Sequence, residues 1–241
     1  MRPSEPIEVS NQDLEGLRLQ PSPGVDVRGQ FRKETDQKFD WTQLTVMLLP
    51  QDLNESGVVG GGSFSPPSMS GVNKDGSFDL KKVPAGSYQL VVGAKSNNLP
   101  DYFTKSVNLN GRDVSDSGFV VNAAIFLEVG VSARGATIEG KVVDETGKPV
   151  AYATVVDIPA TEHRTRSDLY QRDTTNEDGH FRLRGLNPEK YMVLAFDDLQ
   201  GDVRQSEFLN AYESRGQNVQ LDEGARTSIV LKVINSDSGA Q

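Results

Sequence analysis

His163 and His180 are the only histidines among 241 residues, and there is no cysteine. Those two facts bound the chemistry. A zinc peptidase needs at least three His, Glu or Asp ligands around an open coordination position. Here one histidine falls in a polar insertion and the other beside a turn, where surface placement is expected. A Ser-His-Asp relay needs a buried, oriented imidazole, and no Gly-x-Ser-x-Gly elbow occurs. Without cysteine, disulfides, thiolate metal sites, iron–sulfur clusters and thiol nucleophiles are excluded. No catalytic set, cofactor site or metal site follows from these residues.

Binding chemistry leaves more candidates. Asp173, Asp178, Asp197, Asp198 and Asp202 supply hard oxygens near loops, but neither an EF-hand nor a nonapeptide spacing is present, and they read as solvated loop charge. Gly60-Gly61-Gly62 lacks the Lys-Ser or Lys-Thr and the strand–loop–helix context of a phosphate cradle, and reads as a flexible loop. Sugars bind flat aromatic faces flanked by amides and carboxylates. The candidates are Trp41 beside Phe39, Tyr102 and Phe103 near Asn97 and Asn98, and Tyr170. Against them, a lone tryptophan at a strand start more often packs in a core or rim.

These residues must be positioned by strands. A period of two dominates, in Val25-Asp26-Val27, Leu44-Thr45-Val46, Phe78-Asp79-Leu80 and Tyr88–Val92, then again in Ile138–Val143, Ala153–Val156, Phe181-Arg182-Leu183, Tyr191–Leu194 and Ile229–Val233. Each predicts a short, half-buried strand. The two halves repeat with a period of 103–112 residues, suited to whole domains. Gly29 matches Gly140, Pro50 matches Pro159, Asn73–Leu80 matches Asn176–Leu183, and Tyr88 matches Tyr191. Each half is read as closing with a similar strand pair, Val107–Leu109 leading to Phe126–Val129 and Val219–Leu221 leading to Ile229–Val233. Asp75-Gly76 and Asp178-Gly179 supply the positive φ of tight hairpin turns. The connection from Ser106 to Ala124 must turn on Gly111 and Gly118. Insertions sit at the same place in each half, Gly57–Gly71 and Thr161–Thr174. One helix is expected over Ser206–Tyr212, with Ser206 as its N-cap and Phe208 and Tyr212 on one face, packed at a sandwich edge.

Composition agrees with small cores and generous loops: 36% of residues are hydrophobic, and 25 basic against 34 acidic residues leave a formal charge of −9. That charge repels phosphate backbones and anionic lipid, and the short cluster His163–Arg166 is flanked by Glu162 and Asp168. Nucleic-acid binding is not expected. No stretch approaches the ~20 apolar residues of a bilayer span, and Met1–Pro6 has no signal core.

Gly140-Lys141-Val142-Val143-Asp144, Gly147-Lys148-Pro149-Val150, Ala153-Thr154-Val155, Asp178–Leu183 and Tyr191 together resemble the carboxypeptidase regulatory-like domain family. The resemblance spans 135–235, and more loosely 24–134, where Thr35–Phe39 replaces the Gly-x-Pro-Val turn. It implies transthyretin-like sandwiches related to carbohydrate-binding-like folds, often in tandem in bacterial envelope or secreted proteins. Its motif residues belong to turns and core and identify a fold, not a site. The zinc peptidase that lends the family its name is a separate domain, and nothing here resembles it. Where the family turn reads Leu-x-Pro-Gly-x-Tyr, Glu189 stands in place of glycine, so a different turn type is expected there.

The reading is an all-β protein of two tandem Ig-like, transthyretin-like β-sandwich domains, 24–134 and 135–235. Residues 1–23 are read as closing strands of a preceding repeat or an added edge strand, and 236–241 as a flexible tail. The expected function is a non-catalytic structural or interaction module of a bacterial envelope or secreted multidomain protein. The alternatives are carbohydrate binding through an exposed aromatic platform, and peptide capture by strand addition. The expected partner is a protein or polysaccharide that the sequence does not name, and the chain is expected to be monomeric in isolation, without membrane insertion. An extracellular, periplasmic or envelope location follows from the family resemblance.

Overall fold

The computed structural model describes residues 23–34, 40–51, 68–95 and 101–235. The expected strands near Ile7–Leu19, most of the Gly57–Gly71 insertion and the 236–241 tail lie outside them. The fold is all-β. It divides into two compact units, one of Met1–Arg32, Asp40–Lys95 and Ser106–Val129, the other of Lys33–Phe39, Ser96–Lys105 and Gly130–Gln241.

The first half of the chain carries β1 (Val25–Lys33), β2 (Leu44–Pro50), β3 (Ser68–Gly71), β4 (Ser77–Val83), β5 (Gly86–Ala94), β6 (Phe103–Leu109), β7 (Arg112–Asp113), β8 (Phe119–Val121) and β9 (Ile125–Ser132). They form a sheet of order β4-β1-β9-β6-β7 and another of order β3-β2-β5-β8. Alternation decides which side chains go in: Val27, Phe31, Leu44, Val46, Leu48, Phe78, Leu80 and Leu127 are buried, while Asp26, Arg28, Asp79, Lys81, Arg32 and Glu128 project from the other face.

The second unit holds β10 (Ala136–Val143), β11 (Thr154–Pro159), β12 (Arg172–Thr174), β13 (His180–Leu186), β14 (Lys190–Phe196), α1 (Ser206–Tyr212), β15 (Gln217–Gln220) and β16 (Arg226–Lys232). Its sheets run β13-β10-β16 and β12-β11-β14-β15. Ile138, Val142, Val155, Phe181, Leu183, Tyr191, Val193, Leu221, Ile229 and Leu231 fill the core.

The repeat holds at the level of strand register. Gly29 lies opposite Phe78 and Gly140 opposite Phe181; Pro50 lies opposite Tyr88 and Pro159 opposite Tyr191. The two glycines are demanded by space: a Cβ on Gly29 would lie 2.2 Å from the Phe78 ring, and one on Gly140 would lie 2.0 Å from the Ile229 carbonyl. Lys82 (φ 55°) and Gly185 (φ 69°) occupy matching bulges where β4 and β13 slip register against β1 and β10. The first unit puts a lysine where the second has the residue suited to that conformation.

The two Asp-Gly turns are built alike. Gly76 (φ 84°) and Gly179 (φ 78°) are left-handed. Their N–H groups donate to Asn73 and Asn176 carbonyls at 2.9 Å, and the Asn73 and Asn176 N–H groups donate onward to Ser77 and His180. The strands on either side, however, are not partners: β3 and β4 lie in different sheets, as do β12 and β13. Each turn closes locally and then carries the chain from one layer of the sandwich to the other.

Four further expectations are corrected. Val107–Leu109 and Val219–Leu221 are not counterparts, because β6 joins the sheet of β9 while β15 pairs with β14; the counterpart of β15 is β8, which pairs with β5. Strands β11 and β14 are buried on both faces from Thr154 to Pro159 and from Tyr191 to Phe196, not half-buried. Their second face, with Val156, Ile158, Met192, Leu194 and Phe196, is covered by Phe208 and Leu209 of α1, so the helix packs on a sheet face and not at an edge. Its N-cap is Gln205, and Ser206 is its first helical residue. Glu189 has no positive φ, as expected of a turn that places glutamate there, and Gly86 has none either, so the turn before Tyr88 and Tyr191 does not depend on a glycine.

Candidate functional site

The aromatic candidates lie on different elements, except that Tyr102 and Phe103 are neighbours in the chain. Trp41 opens a short 3-10 helix, Trp41–Gln43, whose start is capped by Asp40 accepting from the Thr42 N–H at 3.1 Å and the Thr42 hydroxyl at 2.6 Å. The indole leans on Phe31 with centroids 5.5 Å apart, and Phe31 meets Phe78 edge-on at 5.6 Å. Trp41 is thus half-buried as the outer member of a core aromatic row. Phe103 is 3% exposed, with no ring face open to a ligand. Tyr102 is half-buried, and burial pushes its phenol up to about 12. Tyr170 donates to the Arg164 carbonyl at 3.1 Å and packs against the α1 cluster; burial likewise pushes it up to about 12. Phe39, Asn97 and Asn98 lie outside the described residues. The most exposed aromatic side chains among the described residues, Tyr152 at 66% and Phe126 at 54%, were not singled out by sequence: Tyr152 lies in a turn, where a period of two gives no sign, while Phe126 shares the outward parity of Glu128 and was legible.

The polar candidates are largely absorbed by local structure. Aspartates followed two residues later by Ser or Thr cap their own turns: Asp75 accepts from Ser77 N–H at 2.9 Å, Asp113 from Ser115 at 2.9 Å, and Asp144 from Thr146 and Lys148 at 2.9 Å each. These donors hold Asp40, Asp75 and Asp144 below the usual carboxylate range, the Thr42 hydroxyl leading for Asp40, the Ser77 N–H for Asp75 and the Thr146 hydroxyl for Asp144. Of the loop aspartates, Asp202 chelates Arg204, Asp173 accepts from Arg182 N–H, and Asp197 accepts from Asp198 N–H. Among the described residues no three His, Asp or Glu side chains converge as metal ligands would. His163 ends a 3-10 turn and His180 begins β13, well separated in sequence and element.

One surface stands out by charge. The outward side of β13-β10-β16 aligns Arg184, Thr137 and Arg226 in one row, Arg182, Glu139 and Ser228 in the next, and His180, Lys141 and Val230 in a third. An open depression of about 620 Å³ runs over it, bordered by Asp173, Thr174 and Asn176. The corresponding face of the first unit neutralises itself: Lys81 sits 2.9 Å from Asp26 and 2.6 Å from Asp79, Arg28 lies 3.7 Å from both, and Arg32 pairs with Glu128. On the second unit, Arg184 pairs with Asp101 at 2.6 Å, Lys232 with Glu145 at 2.9 Å and Arg182 with Glu139 at 3.9 Å. Lys141 and Arg226 form no ion pair among the described residues. Sequence reasoning missed this surface because its cations come from three strands up to 91 residues apart.

Residues 137–232, the strands and turns just described, match the model of the carboxypeptidase regulatory-like domain. That match covers residues 137–232 of the second unit and is to a domain family. No curated protein matches the chain. Among solved structures, the Streptococcal ancillary pilin is similar at 15% identity and a TM-score of 0.31, over 94% of this chain and 68% of that one. The shaft pilin SpaA from Lactobacillus rhamnosus GG is similar at 12% identity and a TM-score of 0.29, over 86% of this chain and 96% of that one. The Bacillus anthracis TIE protein is similar at 12% identity and a TM-score of 0.28; this chain covers 33% of its length, matched over 87% of the present sequence. Among the described residues no helix is long and apolar enough to cross a membrane. Within residues 137–232 the conspicuous feature is the outward cationic sheet face.

Proposed function

We propose that the protein is a non-catalytic interaction module, a pair of β-sandwich units that presents binding surface within a larger envelope or secreted assembly. The observation that carries this reading is the fate of its titratable side chains. Asp40, Asp75, Asp113 and Asp144 cap turns, and Asp202 is tied to its neighbour Arg204. A general acid–base pair needs two groups poised over a shared substrate position, and these carboxylates are spent on the backbone beside them. The regulatory-like domain supports the same view, because its motif residues are turn and core residues.

The test is enzymatic and direct. Full-length protein is assayed against chromogenic peptidase, esterase and glycosidase substrates beside His163→Ala and His180→Ala variants. The expected result is no turnover above buffer for any of the three. Turnover lost on substituting either histidine would overturn the module reading.

A further inference from the structure

We infer that the outer edge of β16 is a docking site for an extended acidic segment of a partner protein, which joins the sheet as a fourth strand. The inference rests on the interaction-module reading and names its surface and partner chemistry. A strand at a sheet edge presents unpaired N–H and C=O groups that either are blocked or recruit another strand. The opposite edge of the same sheet is blocked: along β13 the Arg182 N–H donates to the Asp173 carboxylate at 2.6 Å and the Arg184 N–H to the Gln171 side-chain carbonyl at 3.3 Å. In the first unit, the strand at the place of β16 is β9, and it is flanked on that side by β6. In the second unit the corresponding connection instead forms α1 and packs on the other sheet. Among the described residues nothing therefore occupies the slot beside β16. Among the described residues, the main chain of Arg226–Lys232 pairs only toward β10.

The side chains of β16 specify the occupant. Ile229 and Leu231 point into the core, while Arg226, Ser228, Val230 and Lys232 point out, with Val230 63% exposed. Arg226 and Lys232 end the strand six residues apart, about 20 Å, and Lys141 stands beside Val230 on β10. Opposite charges facing each other across adjacent strands stabilise a pair and like charges oppose it. The same two cations that would repel a second copy of this edge therefore favour a strand with an acidic residue near each end and small or apolar residues between. The Lys232–Glu145 pair, 67% and 75% exposed, is of the readily exchanged surface kind.

The test uses the full chain and the fluorescent peptide Thr-Glu-Val-Thr-Val-Thr-Val-Glu-Thr, whose acids have the spacing of Arg226 and Lys232. Comparison peptides carry Lys for Glu, or N-methyl groups on alternate residues that remove the N–H donors. Saturable binding is expected for the acidic peptide, with both comparison peptides at least about tenfold weaker. The paired variant Arg226→Glu with Lys232→Glu should exchange the preference for acidic and lysine peptides. Should that variant not fold, the same-charge test is made with Arg226→Gln and Lys232→Gln, which should weaken the acidic peptide alone. Equal binding of the N-methylated peptide would mean surface charge only and overturn the strand addition. Absence of saturable binding of the acidic peptide up to about 1 mM would overturn the site. Neither failure touches the module reading, which falls only if turnover is found.

Discussion

At the residue scale the most informative side chain is Asp157, fully buried in β11. Its Oδ1 accepts the Gln171 N–H at 2.5 Å, while Oδ2 has no hydrogen-bond partner among the described residues. Burial pushes the carboxyl well above the usual range, opposed by the Gln171 N–H and reinforced by nearby Glu189. A raised folded-state pKa means that the folded protein holds the proton more tightly. The stability contributed by this group is therefore complete below the unfolded value near ~4 and is lost as pH rises toward the folded one. Urea unfolding from pH 4 upward should show stability falling by as much as about 1.4 kcal/mol per pH unit from this group. Asp157→Asn keeps an acceptor for Gln171 and should flatten that slope, leaving a protein at least as stable at pH 7. A steep loss at pH 7 with the slope intact would mean a charged, partnered carboxylate. A second pair of substitutions separates backbone strain from collision. Gly111→Val forces a left-handed φ of 79° with nothing within 4 Å of its Cβ, whereas at Gly179 the Cβ would meet the Val142 carbonyl at 2.8 Å. Gly111→Val should cost about 1 kcal/mol and Gly179→Val about 2 kcal/mol or more, read from thermal or urea melts.

At the element scale, the two units solve one problem in opposite ways. The chain between the fifth strand of each repeat and the last must go somewhere. In the first it becomes β6 and β7 and extends the sheet of β9; in the second it becomes α1 and covers a sheet face. Phe208 and Tyr212, four residues apart, could be read from sequence as one face of a helix. Their target could not: Phe208 lies 5.5 Å from Phe196 and 4.8 Å from Tyr212, whose ring meets Phe196 edge-on at 5.1 Å. Phe208→Ala should therefore cost about 3–4 kcal/mol in urea unfolding. A loss below about 1 kcal/mol would mean that the helix is a passive surface turn. The full burial of β14 did leave a signal, since the run Tyr191–Phe196 is apolar without the alternation of a half-buried strand, but such a run does not say which element covers the second face.

At the scale of the whole molecule, each unit has its own buried core, so fragments 24–134 and 135–241 are each expected to fold cooperatively. The second should melt below the full chain, because it lacks the segment Ser96–Lys105 that belongs to its compact unit. From that segment Asp101 holds Arg184 at 2.6 Å and its carbonyl accepts the Gly135 N–H at 2.8 Å. Circular dichroism melts of both fragments test this, and failure of both to fold would sink the division into two units.

The sequence alone determined what is local or strictly periodic. The alternation put Val27, Leu80, Ile138 and Leu183 inside, the Asp-Gly pairs placed left-handed glycines at two turns, and the offset repeat carried Gly29 and Gly140, or Tyr88 and Tyr191, to the same register. Those features depend on residues a few positions apart, or on one strand laid against its copy. Tertiary structure alone decided which sheet each strand enters, where α1 lands, that β13 is sealed by Asp173 and Gln171 while no described residue seals β16, and that the cations of three distant strands share one face. The physical reason is that strand partners and covered faces are chosen by competition among long-range contacts, and a period of two says which way a side chain points without saying what it will meet.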